Sequence, residues 1–151
     1  MVAALCPRNL ENLSLMNNEI TAECSCGEIQ FKSTEKPVIQ LCCHCTDCRE
    51  ATNIDYATIA FFNSSASSVS GMLSVQNFTS ELGNQTVREF CSRCGSVMFD
   101  KSEGFPALIG VMTQRISEPF EVKPSHHVWV KSKLPHVSIP LGVKQFEKGI
   151  S

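Results

Sequence analysis

Apolar positions along the chain fall in short runs separated by clusters of Gly, Pro, Ser and Asn. Runs of this kind, bounded by turn residues, predict strands at 28–32, 38–42, 56–62, 73–78, 87–90, 97–99, 108–112 and 127–130. The intervening Asn63-Ser64-Ser65-Ala66-Ser67-Ser68 and Gly83-Asn84 read as loops, and their spacing is that of an antiparallel all-β domain. Only 46–52 predicts a helical turn. Residues 1–20 read as an N-terminal extension, and 21–151 as a single domain with few or short helices.

One similarity inside the chain adds to this pattern. Cys26-Gly27-Glu28-Ile29-Gln30-Phe31 and Cys94-Gly95-Ser96-Val97-Met98-Phe99 both read Cys-Gly, then an apolar residue two places on and Phe two places further. Each predicts a tight turn that releases a strand, with glycine free to take positive φ where the backbone must fold around a metal-bound sulfur.

Composition narrows the function classes. A length of 151 residues with 42% hydrophobic and 19% charged residues is that of one globular domain with a core of its own. The formal charge of −2, without any block of like charge, argues against an electrostatic nucleic-acid binder. No apolar stretch approaches the 18 or so residues of a membrane span. From Arg115 onward six basic residues face three acidic ones, a modest tilt that reads as a solvated surface.

The unusual count is nine cysteines. Residues 1–15 lack the charged start, apolar centre and small-residue cleavage site of an export signal, so the expected setting is the reducing cytosol, or the nucleus. There, clustered cysteines bind metal, and the sequons at Asn12, Asn63, Asn77 and Asn84 carry no glycan. A disulfide framework is disfavoured by the odd count and by the Cys24/Cys26 and Cys45/Cys48 spacings.

Seven cysteines form three clusters: Cys24 and Cys26; Cys43, Cys45 and Cys48; Cys91 and Cys94. Two residues between cysteines let both sulfurs reach one Zn²⁺ from a single turn, whereas one residue between them requires a bend. The paired Cys-Gly turns favour a closed four-sulfur site of Cys24, Cys26, Cys91 and Cys94, a structural zinc. The middle cluster then has three sulfurs for a second zinc whose open position marks a catalytic site. The alternative puts four of the first and middle cysteines on one ion and leaves Cys91 and Cys94 as a redox or idle pair. His44 is an alternative ligand. Arg49, beside Cys48, can offset the charge of a three-thiolate zinc or hold an anionic substrate. Cys6 and Cys42 read as spare thiols, and His126, His127 and His136 as structural histidines.

At these residues the chain resembles the glutathione-dependent formaldehyde-activating enzyme family, which includes centromere protein V-like proteins. The likeness lies in Cys24-Ser25-Cys26-Gly27, Cys43-His44-Cys45-Thr46-Asp47-Cys48-Arg49 and Phe90-Cys91-Ser92-Arg93-Cys94-Gly95, and extends to His127-Val128-Trp129 and Lys133-Leu134-Pro135. It implies curled antiparallel sheets organised around two zinc ions, one held by Cys24, Cys26, Cys91 and Cys94 and one by the catalytic Cys43, Cys45 and Cys48. It further implies a carbon–sulfur lyase that joins glutathione and formaldehyde as S-(hydroxymethyl)glutathione, with Arg49 on the thiol cofactor. The partners are then a small-molecule thiol and an aldehyde. The centromere protein V-like relatives support a second class, a zinc-stabilised binding module without catalysis; a lyase acting on another thiol adduct is a third. Asn53 stands where the family commonly has glycine, and tolerates the left-handed conformation. His136 stands where an aromatic residue commonly follows Leu-Pro, which predicts an altered pocket wall.

Overall fold

Strand β4 (Ala57–Asn63) shows how the apolar runs become a core. Side chains alternate across a strand, and here both faces are apolar: Ala60 and Phe62 point to one side, Ala57 and Ile59 to the other. A strand with two apolar faces must lie inside a sheet that is covered on both. The computed structural model describes residues 19–150, and β4 is central to its larger sheet.

The remaining strands, in chain order, are β1 (Ile20–Glu23), β2 (Gln30–Ser33), β3 (Ile39–Cys43), β5 (Ser67–Ser70), β6 (Leu73–Thr79), β7 (Gln85–Cys91), β8 (Val97–Ser102), β9 (Leu108–Met112), β10 (His126–Val128) and β11 (Lys144–Gln145). The single α-helix among the described residues, α1, is Thr46–Thr52. An eight-stranded sheet has the order β11-β10-β3-β4-β9-β8-β7-β6, and a three-stranded sheet the order β1-β2-β5. The small sheet covers one face of the large one, where Ala22, Ile29 and Phe31 meet Phe62, Phe99 and Val111. Phe31 lies 5.2 Å from Phe62 and 5.8 Å from Phe99, ring centre to ring centre and tilted, as aromatic pairs prefer. On the other face Leu41, Cys43, Cys48, Ile59, Val97 and Val128 form a second core, with Trp129, Phe146 and Ile150 packed at its border.

The fold is mostly β, as expected, with one correction. All pairings are antiparallel except those of β10, which runs parallel to both β3 and β11. The chain leaves β9 and reaches β10 through a long connection, 113–125, and so enters from the same end as β3. Three strands were not expected. β1 and β11 are short, and β5 falls in the serine-rich segment read as a loop. Of the expected 1–20 extension, Ile20 opens β1; residues 1–18, with Cys6 and Asn12, lie outside the described residues.

Candidate metal centres and thiol cavity

The two Cys-Gly turns are built alike. Gly27 N–H donates to the Cys24 carbonyl at 3.1 Å and Gly95 N–H to the Cys91 carbonyl at 2.9 Å. Both glycines have positive φ, +82° and +78°, which a Cβ would strain. The first turn joins β1 to β2 and the second joins β7 to β8, so each sheet contributes one.

Packed together, the turns bring the sulfurs of Cys24, Cys26, Cys91 and Cys94 within 4.8 Å of one another. Cys24 Sγ lies 3.6 Å from Cys26 Sγ, which lies 3.7 Å from Cys91 Sγ. Sulfurs about 2.3 Å from a tetrahedral zinc stand about 3.8 Å apart, so this set fits the ion. Backbone N–H groups point at the sulfurs: Ile29 to Cys24 at 3.2 Å, Arg93 and Cys94 to Cys91 at 3.4 Å. The Ser96 hydroxyl lies 3.1 Å from Cys94 Sγ, and with the Ser96 N–H it lowers that thiol to about 5. Cys26 also receives a backbone N–H, from Glu28, yet desolvation and its neighbouring thiols push it up to about 12. The metal-free cluster therefore shares protons unevenly, and a divalent cation would take their place.

The middle cluster is assembled by the end of β3 and the start of α1. Cys43 closes β3, the chain bends at His44, whose N–H donates to the Val128 carbonyl, and α1 returns Cys48 one turn later. Cys45 is the N-cap of α1 and accepts from the Cys48 N–H at 3.3 Å. The sulfurs of Cys43, Cys45 and Cys48 lie within 4.8 Å of one another, with Cys43 and Cys45 3.3 Å apart. Hydrogen bonds from the Cys43 and Cys48 thiols, with help from the Arg88 cation, lower Cys45 to about 3. The contact with Cys45 raises Cys43, and Cys48 is raised by both neighbouring thiols and by burial. These three also fit a zinc ion, with one tetrahedral position left over.

The trio borders a cavity of about 390 Å³. Thr46, Ser80, Asn84, Thr86 and Ser102 contribute hydroxyl and amide groups to its lining, and Phe78, Leu82, Phe105, Trp129 and Ile150 contribute apolar surface. Glu81, on the β6–β7 connection at the rim, pairs with Lys131 at 2.6 Å and Lys148 at 3.8 Å. Trp129 has positive φ, +59°, rare for a bulky side chain; its N–H is held by the Lys148 carbonyl at 3.0 Å.

The cation that touches the trio is Arg88, which the sequence reading did not single out. It is buried in β7; its Nε donates to Asp100 Oδ1 at 2.9 Å, its Nη1 to the Asp47 carbonyl at 3.1 Å, and its Nη2 lies 3.3 Å from Cys48 Sγ. Its guanidinium lies 5.0 Å from the centre of the Phe78 ring. Burial pushes the Asp100 carboxyl up, against the pull of Arg88. Arg49, the cation expected at this place, directs Nη1 to the carbonyls of His44 and Ser132. Only the register of β7 on β8, which sets Arg88 opposite Asp100, reveals the pair, and register is not visible in the chain.

The other residues raised from the sequence are elsewhere. His44 is fully buried, with Nε2 2.8 Å from His127 Nδ1, and burial lowers it to about 4. Its Nδ1 has no partner among the described residues, so the tautomer with the proton on Nε2, donating to His127, leaves no buried N–H stranded. Cys42 faces away from the trio, 3.6 Å from the Thr58 hydroxyl. Asn53 takes the left-handed conformation (φ 58°) as the C-cap of α1. His126 bonds Ser125, and His136 pairs with Asp55 on the surface, away from the thiol cavity.

The family model described as glutathione-dependent formaldehyde-activating enzyme matches residues 19–132. No curated protein matches the chain. Among solved structures, a crystal structure of a Rhodobacter sphaeroides protein is similar, with a TM-score of 0.52 at 21% identity, over 67% of this chain and 90% of that one.

Proposed function

The chain belongs to the glutathione-dependent formaldehyde-activating enzyme family, and from that premise we propose that it is a zinc-dependent enzyme that joins glutathione to formaldehyde as S-(hydroxymethyl)glutathione. One observation carries the reading. Cys43, Cys45 and Cys48 border a cavity in the roughly 300–1,000 Å³ range of small-molecule sites, whereas the four-cysteine cluster ties two sheets together. We assign a structural zinc to Cys24, Cys26, Cys91 and Cys94, and a second zinc to Cys43, Cys45 and Cys48. When bound, the second ion supplies the acidity that keeps a thiol deprotonated at neutral pH and polarises a carbonyl.

The chain's own residues do the rest. The hydroxyl and amide groups of the cavity suit a peptide-like thiol, its apolar residues limit water, and Arg88 offsets negative charge gathered on the sulfurs. Arg49, by fastening the His44 carbonyl to that of Ser132, fixes the bend that lets three sulfurs converge. In the reaction the thiol sulfur forms a bond to the carbonyl carbon, the π pair moves to oxygen, and the proton lost by the thiol ends on that oxygen. No redox partner is needed. Holding both reactants in one cavity removes the entropic cost of their encounter. Eight free cysteines among the described residues suit a reducing compartment, which we take to be the cytoplasm.

Elemental analysis and turnover test this together. Chain purified without chelator should carry two zinc ions and consume formaldehyde with glutathione. The Cys48→Ser variant should retain one ion and lose turnover. Retention of both ions and of turnover in that variant would overturn the assignment, and two ions without any turnover would favour the binding-module class.

A further inference from the structure

Formaldehyde, with one carbon, needs almost no pocket, yet a second hollow adjoins the thiol cavity beside the sulfurs. Cys43 borders a second hollow of about 130 Å³, whose walls are mainly Leu41, Ile59, Phe61 and Val128. Beyond it a third hollow of about 340 Å³ lies against Val38, Ile39 and Leu108. Phe105 and Ile150 border all three, so the hollows adjoin one another along these two side chains. The charged and imidazole groups that line the second and third hollows are already engaged, Lys101 with Glu89 at 3.1 Å. Asp100 is held by Arg88, and His126 Nδ1 by the Ser125 hydroxyl at 2.7 Å.

An apolar cavity of roughly 150 Å³ is large enough to hold benzene. The hollow beside Cys43 is close to that size, and its lining is more apolar than that of the first cavity. A ligand centred on the thiols thus meets two chemically different spaces, one of mixed polar and apolar lining that suits a tripeptide and one mainly apolar that suits a hydrocarbon group. Ile150 lies outside the segment matched by the family model, so part of this apolar wall comes from residues the family pattern does not include.

We propose that the site also handles adducts with an apolar substituent of about four to six carbons or a phenyl ring, seated in the hollow formed by Leu41, Ile59, Phe61, Phe105, Val128 and Ile150. The carbonyl partners then include aliphatic or aromatic aldehydes larger than formaldehyde. This inference rests on the thiol–aldehyde reading and deepens it. The chemistry is unchanged: a sulfur–carbon bond forms, the carbonyl π pair passes to oxygen, and the thiol proton follows.

Stable thioethers test the pocket without turnover. S-methylglutathione and S-hexylglutathione are titrated into the zinc-containing full chain, with binding followed by calorimetry and by the emission of Trp129, the single tryptophan. The hexyl thioether should bind at least tenfold more tightly, since each buried CH₂ is worth about a fourfold gain and burial is partial. Phe105→Asp should bring the two within about threefold. Phe105 is 41% exposed, so the change leaves the core intact; Phe105→Ser, expected to lower the preference at least threefold, serves if the aspartate variant does not fold. Equal affinity in the natural chain, or a hexyl preference untouched in a folded Phe105 variant, overturns the proposal. Binding of neither thioether sinks the thiol reading instead. The hollow is then tested alone with hexan-1-ol, and an unresponsive Trp129 emission overturns this proposal too.

Discussion

Arg88 lies in the interior of β7, where a strand facing two cores would ordinarily place an apolar residue. Its charge is tolerated because Asp100, directly opposite on β8, accepts from it, and because the Asp47 carbonyl and the Cys48 sulfur take further N–H groups. Breaking such a pair from one side strands a buried charge, at about 3–5 kcal/mol, whereas replacing both partners by apolar residues is often neutral. Arg88→Met should therefore destabilise the fold by about that amount, and Arg88→Met with Asp100→Leu should recover most of it in urea unfolding. If Arg88 also serves the sulfurs, the double variant stays weak in zinc at the three-thiol site, measured by competition with a chromogenic chelator. A double variant with natural zinc affinity would reduce Arg88 to a structural ion pair.

Helix α1 has seven residues, too few to persist alone in water, so its ends and its packing hold it. At the start Cys45 caps it through sulfur; at the end Asn53, in the left-handed conformation, donates its N–H to the Arg49 carbonyl at 2.8 Å. Alanine is strained by about 1–2 kcal/mol in that conformation, asparagine by less, glycine not at all. Asn53→Ala should thus cost about 1 kcal/mol in urea unfolding, while Asn53→Gly should stay within about 0.5 kcal/mol of the natural chain; equal effects would mean the cap does not matter. At this scale much was legible. The expected 46–52 turn and 108–112 strand coincide with α1 and β9, because Cys, Asp and Asn punctuate one and an uninterrupted apolar run marks the other. β5 was not legible: Ser67-Ser68-Val69-Ser70 is an edge strand largely exposed to water and needs no apolar alternation. Arg49 misled for a geometric reason, since consecutive helical residues point about 100° apart and its neighbour Cys48 faces the trio. The grouping of seven cysteines into four and three was legible because the repeated Cys-Gly turn names its own partner.

The strands β1, β2 and β5 are four residues each and lean on the large sheet through a few side chains, chiefly Ala22, Ile29 and Phe31. At one end the four-cysteine cluster brings the β1–β2 turn against the β7–β8 turn, across a sequence separation of 65 residues between Cys26 and Cys91, where the proposed structural zinc would tie them. Around it Arg115 donates to the Ser25 hydroxyl at 2.9 Å, which lies 2.9 Å from that of Ser96. Such a tie closes a long loop, and its loss frees the smaller sheet first. Cys94 is exposed, so Cys94→Ser removes a sulfur without opening a cavity. That variant should lose one zinc per chain, unfold at lower urea, and exchange the amides of 20–33 faster by mass spectrometry. Cys45→Ser, at the other cluster, should also lose one zinc but leave exchange over 20–33 as it was. The contrast separates a metal that holds the molecule together from one that the molecule holds for chemistry. Unchanged protection of 20–33 in a zinc-depleted Cys94→Ser chain would show that the apolar contacts alone hold the two sheets.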